Sequence, residues 1–171
     1  MELTGSRTIN ASREAVWAAL NDPDVLKACI PGCSDMIRDS EGGFTAVVTQ
    51  KVGPVKATFK GAVTLTEIVP QVSYTITGEG KGGAAGFAKG GARVKLADVE
   101  GGTELSYEVE ARVGGKLAQI GSRLVDGFAK KMADRFFENF QMALEGPEAE
   151  GEAEAKKKGW IKRLVGGSND E

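Results

Sequence analysis

The sequence contains no histidine, and it has only two cysteines among its 171 residues. Histidine is the commonest general base and metal ligand, so its absence removes the usual Ser or Cys triads and most zinc sites. Cys29 and Cys33 are too few for a disulfide framework, and they lack the C-x-x-C spacing of redox and metal motifs. We therefore predict ordinary loop or core cysteines and no metal site. Any catalysis would fall to Asp, Glu, Lys or Tyr, and we assign no catalytic residues.

Long apolar runs are also missing, as is a basic and then apolar signal at the N-terminus. The formal net charge is −2, which gives the whole chain no attraction to nucleic acid. We expect a cytoplasmic protein with no nucleic-acid partner. A chain of this length forms one domain comfortably and buries a core without disulfides or metal.

Alternation of apolar and polar residues predicts one N-terminal strand and then six consecutive antiparallel strands from about Asp35 to Val113. The clearest alternation covers residues 55–69, where Lys and Thr occupy the polar phase. Between the first strand and the others we predict two short helices. One follows a cap at Asn10 or Ser12 and ends near Leu20, and the other covers Asp24 to Cys29.

After Gly114-Gly115 the apolar residues recur every three or four positions, which predicts an amphipathic helix over residues 117–140 that ends near Gly146-Pro147. Gly121 and Gly127 lie inside this predicted helix. The elements together predict an α+β fold, in which a seven-stranded curved antiparallel sheet wraps around a long C-terminal helix.

A curved sheet around a helix encloses a concave apolar space, and ligand sites favour such places. The side chains predicted to line this cavity are Phe59, Val63, Leu65, Tyr74, Leu105, Tyr107, Leu117, Leu124, Phe128 and Met132. Aromatic and Met side chains suit a flat ring and an isoprenoid tail, although they suit other apolar molecules equally well. The alternative is that these residues simply form a packed core.

Two further features have plainer explanations. Gly78, Gly80 and Gly83 match the dinucleotide spacing G-x-G-x-x-G, but no helix is predicted to open after them, so we predict a glycine-rich hairpin. Arg7 and Glu67 are charges in apolar phases, which could pair across the sheet or bind a ligand. We favour rim positions with access to water.

The C-terminal end has its own pattern. Residues 1–145 form the predicted ligand-binding domain, 146–155 an acidic flexible linker, and 156–171 a basic amphipathic tail. The residues predicted to contact an anionic membrane are Lys156, Lys157, Lys158, Trp160, Ile161, Lys162, Arg163, Leu164 and Val165. The alternatives are a solubilising basic end and an arm that docks a partner protein.

Three parts of the sequence resemble a known family. Residues 16–23 contain Val-Trp and Leu-Asn-Asp-Pro, and residues 29–33 read Cys-Ile-Pro-Gly-Cys. The third part is the glycine-rich strand pair 78–96 together with the closing helix 121–140. Over roughly residues 1–145 the sequence resembles the G-subunit family of carbon monoxide dehydrogenase. That family belongs to the helix-grip superfamily, which also contains polyketide cyclases and sterol-transfer domains of the START-like type.

The resemblance implies an accessory protein of an aerobic molybdenum hydroxylase. Such a protein would help tether the oxidase to the inner face of the cytoplasmic membrane and handle its quinone acceptor. A bound quinone, with no covalently attached cofactor, is then the expected cavity ligand. Two alternatives stay open. One is a cyclase or aromatase that uses Tyr74, Tyr107, Arg7 or Glu67, and the other is an assembly factor whose cavity is filled by side chains.

Overall fold

The computed structural model describes residues 1–39 and 42–146. The elements in chain order are β1 Glu2–Ile9, α1 Arg13–Leu20, α2 Pro23–Cys29, β2 Cys33–Arg38, β3 Phe44–Val52, β4 Val55–Val69, β5 Ser73–Lys81, a 3₁₀ turn Gly83–Ala85, β6 Phe87–Val99, β7 Gly102–Gly114, α3 Lys116–Gln119 and α4 Ser122–Glu145. The strands form one antiparallel sheet in the order β1-β7-β6-β5-β4-β3-β2. The predicted α+β fold is confirmed, including the seven strands and the long final helix.

Side-chain caps fix the two short helices after β1. The Ser12 hydroxyl accepts a hydrogen bond from the Ala15 N–H at 3.1 Å, which begins α1. The Asp22 carboxylate accepts from the Asp24 N–H at 2.9 Å, and Pro23 occupies the first turn of α2. The second helix therefore begins at Pro23, one residue earlier than the sequence pattern predicted.

The final helix differs from its prediction at one point. Gly121 has φ +103°, which lies outside the helical region, and it separates the single turn of α3 from α4. The prediction that Gly121 lies inside one continuous helix is therefore wrong, because glycine adopts this conformation at little steric cost. The predicted end is confirmed: the Gly146 N–H donates to the Met142 carbonyl at 2.8 Å and terminates α4.

The hydrophobic core lies at one end of the sheet. Its buried members are Ile9, Val16, Ala19, Leu20, Cys29, Tyr74, Val94, Leu96, Leu105, Phe137 and Phe140. Helix α4 joins this cluster only from Phe136 onward, among the residues that the structure describes. Residues 136–145 of α4 therefore pack against the sheet, while residues 122–135 contribute no buried residue to this core.

A chain of hydrogen bonds ties the C-terminal end of α4 to β1. The Arg7 guanidinium donates to Gln141 Oε1 at 3.3 Å, and Gln141 Nε2 donates to the Thr8 carbonyl at 3.1 Å. Gln141 Nε2 also donates to Glu145 Oε2, which accepts the Asn10 N–H at 2.8 Å. Arg7 is thus a half-buried residue with a helix partner, which corrects the rim position we favoured.

Glu67 takes the rim position because the strand is irregular there. The register of β4 against β5 shifts between Thr66 and Val69, and Glu67 has φ +52°. Its carboxylate turns to the outer face of the sheet, where it accepts from the Thr75 hydroxyl at 3.0 Å and lies 3.6 Å from the Arg93 guanidinium. Arg7 and Glu67 therefore have separate partners.

The two cysteines lie in different environments. Cys29 is buried in the core, whereas Cys33 begins β2 and is partly exposed. Burial raises the pKa of the Cys29 thiol from 9.0 to about 11. Iodoacetamide at pH 8 is therefore expected to modify Cys33 alone in the folded protein.

Because its folded pKa is raised, the Cys29 thiol stabilises the fold fully below pH 9, and this contribution is lost as the pH rises toward 11. Urea unfolding at pH 7.5 and pH 10.5 measures the loss. Cys29→Ala should show a smaller loss than the parent, whereas equal losses would contradict the assignment.

An open groove between the sheet and the final helix

Beyond the core, the inner face of the sheet carries many small residues. They are Ala57, Gly61, Gly78, Gly80, Gly82, Ala88, Gly90, Ala92 and Ala111. They align across strands, since Gly61 pairs with Gly80 and Gly80 with Ala88, while Gly78 pairs with Gly90. Glycine inside a strand often marks close approach of a ligand or another backbone. The small residues form a low floor on the inner face of the sheet.

Two larger side chains of β4 lie over this floor. A Cβ atom at Gly82 would fall 2.5 Å from Phe59 Cε1, and one at Gly78 would fall 2.5 Å from Val63 Cγ1, so neither position accepts a side chain as packed. A Cβ at Gly80 would meet only Phe59 Cβ, at 3.9 Å. Gly80 therefore accepts a Cβ atom without a clash, unlike Gly78 and Gly82.

The helix side of the groove is apolar and partly exposed. Leu124, Phe128 and Met132 are spaced four residues apart, on the same stripe that continues into the core at Phe136. Leu124 is 44 % exposed and approaches the β3–β4 turn, while Phe128 and Met132 are half-buried. A Cβ atom at Gly127 would have no heavy atom within 4 Å. The exposed Gly127 thus faces away from the packed part of the protein.

The residues predicted to line a cavity fall into three places. Phe59 and Val63 lie on β4 beside the small residues, and Leu124, Phe128 and Met132 lie on the less buried stripe of α4. Leu65, Tyr74, Leu105 and Tyr107 belong to the core cluster or pack directly against it. Leu117 is buried in α3, which contacts β7 and the 3₁₀ turn. Sequence periodicity assigned all ten to one inner surface but did not separate its packed end from its open end.

The aromatic residues at the packed end are firmly held. Tyr74 meets Trp17 edge to face at 5.3 Å, and burial raises the pKa of the Tyr74 hydroxyl above its usual range. Tyr107 stacks on Phe137 with ring centroids 4.8 Å apart. The Tyr107 ring lies over Gly5, where any side chain would collide with it.

The glycine and alanine floor is the part of the site that the predicted lining residues omit. A signal for it was present, because Gly61, Gly78, Gly80 and Gly90 all fall in the apolar phase of their strands. The outer face of the sheet carries a separate open depression of about 1100 Å³. Threonines and charged side chains such as Arg93 and Glu110 line much of it, which suits water better than an apolar molecule.

An antiparallel seven-stranded sheet that curves around a long C-terminal helix, with two short helices after β1, defines the helix-grip fold of START-like proteins. The family can also be stated. Residues 5–145 match the family model of the carbon monoxide dehydrogenase G subunit (CoxG), and the chain belongs to that family.

Solved structures agree with this assignment. A conserved protein from Geobacillus kaustophilus is 32% identical, with a TM-score of 0.77, over 82% of this chain and 93% of that one. A protein from Chromobacterium violaceum is 15% identical, with a TM-score of 0.63, over 82% and 95% of the two chains. An uncharacterised protein from Rhizobium leguminosarum is 16% identical, with a TM-score of 0.64, over 83% and 92%. The last two show the fold alone.

The search of curated proteins found no significant match. Within residues 1–39 and 42–146, no helix has the length and apolar character needed to cross a bilayer. The same residues contain no cluster of three or more His, Cys, Asp or Glu side chains placed to hold a metal ion.

Proposed function

We propose that this protein is a non-catalytic accessory protein of an aerobic carbon monoxide dehydrogenase-type molybdenum hydroxylase, and that its groove binds a quinone or a similar apolar isoprenoid. Membership of the CoxG family supports the accessory role. The single observation that supports the ligand is the groove itself, with an open floor at Gly80 and apolar walls from Phe59, Phe128 and Met132.

The shape and chemistry of the groove suit a flat ring with a hydrocarbon tail. Glycines at Gly61 and Gly80 allow a ring to approach the backbone, while aromatic and thioether side chains adapt to an isoprenoid chain. Burying one CH₂ group contributes about 0.8 kcal/mol, so a five-carbon isoprene unit contributes up to about 4 kcal/mol. A few units therefore suffice for tight but reversible binding.

The placement of the acid–base candidates supports a carrier over a cyclase. Arg7 is held by Gln141, and Glu67 points to the outer face beside Arg93. The raised pKa of Tyr74 keeps its hydroxyl protonated at neutral pH, which makes it a poor general base. A cyclase would need at least one acid or base facing its substrate, and Tyr107, the remaining candidate, stacks on Phe137 at the packed end.

Titration with a soluble short-chain quinone, followed by quenching of Trp and Tyr fluorescence, tests the ligand. The expected result is saturable binding of one quinone per chain, competed by longer isoprenoid quinones. A folded protein that shows no saturable quenching would overturn the ligand assignment while leaving the family assignment intact.

The proposed membrane link rests on residues 156–171, which lie outside the described residues. Five cations between Lys156 and Arg163 surround Trp160 and Ile161. Near an anionic surface each cation contributes about 1 kcal/mol, and Trp favours the headgroup region. The proposal is that this segment brings the protein, and the oxidase with it, to the inner face of the cytoplasmic membrane.

Deletion of residues 156–171 is expected to weaken binding to vesicles rich in anionic lipid by at least roughly tenfold, since several cations are lost together. Vesicle co-sedimentation measures this, with neutral phosphatidylcholine vesicles as the control surface. Unchanged binding to the anionic vesicles would show that the tail is not the anchor.

A further inference from the structure

An exposed apolar patch lies at the end of the sheet that holds the core. Of the eight large apolar side chains exposed in the described residues, four lie on two neighbouring turns. Ile68 and Val69, the last two residues of β4, are each 50% exposed, Val72 in the β4–β5 turn is 39% exposed, and Val99 at the end of β6 is 38% exposed. We call these four residues the turn patch.

The turn patch is held in a fixed shape. Gln71 has φ +65°, a left-handed conformation that is uncommon for a residue with a side chain, and its carbonyl accepts from Arg13 Nη1 at 3.2 Å. Arg13 Nε also lies 3.2 Å from Asp98 Oδ1, so one arginine joins the two turns. The Leu96 N–H donates to the Val72 carbonyl at 2.7 Å. A surface fixed in this way binds a partner with little ordering cost.

Acidic side chains surround the turn patch. Glu67 and Asp98 flank it with side chains 68% and 73% exposed, each beside one arginine. Glu100 and Glu104 add two exposed carboxylates on the β6–β7 hairpin. This rim disfavours direct contact with an anionic membrane and favours an apolar partner that carries cations.

The described chain ends close to this patch. Glu145, the last residue of α4, accepts a hydrogen bond from the Asn10 N–H. A Cβ atom at Gly102 would lie 3.0 Å from Asn10 Cα, and Gly102 pairs with Val99. The nine residues 147–155 span up to about 30 Å when extended, which is ample for the next segment to reach the two turns.

We propose that residues 156–165 of this chain dock on the turn patch. Trp160, Ile161, Leu164 and Val165 cover its apolar side chains, and the flanking lysines and Arg163 face the acidic rim. In the docked state, the apolar side chains of residues 156–165 are covered by the turn patch. A membrane or a partner protein must then compete with the turn patch to bind this segment. The docked state is intramolecular and exists without lipid, so it stands apart from the proposed ligand and membrane functions.

Tryptophan fluorescence tests the docking directly, because the chain contains only Trp17 and Trp160. In a Trp17→Phe background, acrylamide quenching reports the exposure of Trp160 alone. The expected result is quenching several-fold weaker in the folded chain than in the same chain unfolded in urea. Ile68→Glu should restore strong quenching, and Glu100→Lys or high salt should restore it in part.

The matched control is Ile37→Glu on edge strand β2, where the original side chain is 53% exposed but distant from both turns. It should leave Trp160 protected. The proposal is overturned if Trp160 is fully quenched in the folded chain, or if Ile68→Glu changes nothing. It is also overturned if Leu124→Glu in the groove, instead of Ile68→Glu, releases Trp160, or if protection rises with protein concentration, which would identify a second copy as the partner.

Discussion

Replacement of Gly80 by Leu is expected to weaken quinone binding by at least about tenfold while leaving the fold intact. A Cβ at this position makes only an ordinary contact with Phe59 Cβ at 3.9 Å, so the backbone accepts a side chain there, and the added Leu occupies the room proposed for the ligand. A tenfold loss corresponds to about 1.4 kcal/mol. Fluorescence titration with a short-chain quinone measures the affinity, and thermal unfolding checks the fold.

Ala62→Leu is the matched control for this substitution. Ala62 lies on β4, on the outer face of the sheet, and pairs with Glu79 next to Gly80. The same Leu side chain added there should leave quinone affinity unchanged. If Gly80→Leu binds quinone as tightly as the parent protein, the ligand does not lie over this part of the floor.

Replacement of Phe140 by Ala is expected to lower the free energy of unfolding by about 3–5 kcal/mol. Phe140 is 0% exposed in the core, and its ring stacks on Phe136 with centroids 5.6 Å apart. Removing it leaves a cavity where the helix joins the sheet. Urea denaturation monitored by circular dichroism measures the loss.

Phe128→Ala provides the comparison, because Phe128 lies three turns earlier on α4 and is half-buried beside the groove. It should cost less than half as much stability as Phe140→Ala, since less buried surface is lost. Equal losses would contradict the division of the inner surface into a packed end and an open groove.

The fold could be predicted from the sequence because the two-residue repeat of the strands and the three- to four-residue repeat of the final helix are both regular. In β4, apolar residues from Val55 to Leu65 alternate with Lys and Thr, and the structure places the two sets on opposite faces. Each short helix has a recognisable starting residue, Ser12 as the cap of α1 and Pro23 in the first turn of α2. Such local signals do not depend on distant contacts, so a single sequence is enough to place them.

Local departures from regular strand and helix geometry could not be predicted from the sequence in the same way. The irregularity at Glu67 turns a side chain to the opposite face, and strict alternation does not anticipate it. The break at Gly121 is visible only from its backbone φ angle, because a glycine in the sequence fits the interior of a helix as well as its start. In both cases one backbone conformation overrides the pattern of its neighbours.

The sequence predicted one apolar inner surface, which the structure divides into a packed core and a less buried region. Periodicity predicted that Phe59, Phe128 and Leu105 share one inner surface, whereas the structure buries Leu105 completely in the core and leaves Phe59 and Phe128 half-buried. The burial of these side chains depends on how closely the curved sheet approaches α4 along its length. That distance is set by the twist of all the strands together. The pairing of Gly61 with Gly80 becomes visible only once the strand register is known.

The most direct measurement of the central claim is the lipid content of the protein isolated, without detergent, from membranes that contain its natural quinones. Extraction and mass spectrometry should recover a quinone or another isoprenoid from the parent protein and from Ala62→Leu, and little or none from Gly80→Leu. A well-folded parent protein that carries no apolar molecule, or a Gly80→Leu protein that carries as much as the parent, would contradict the account.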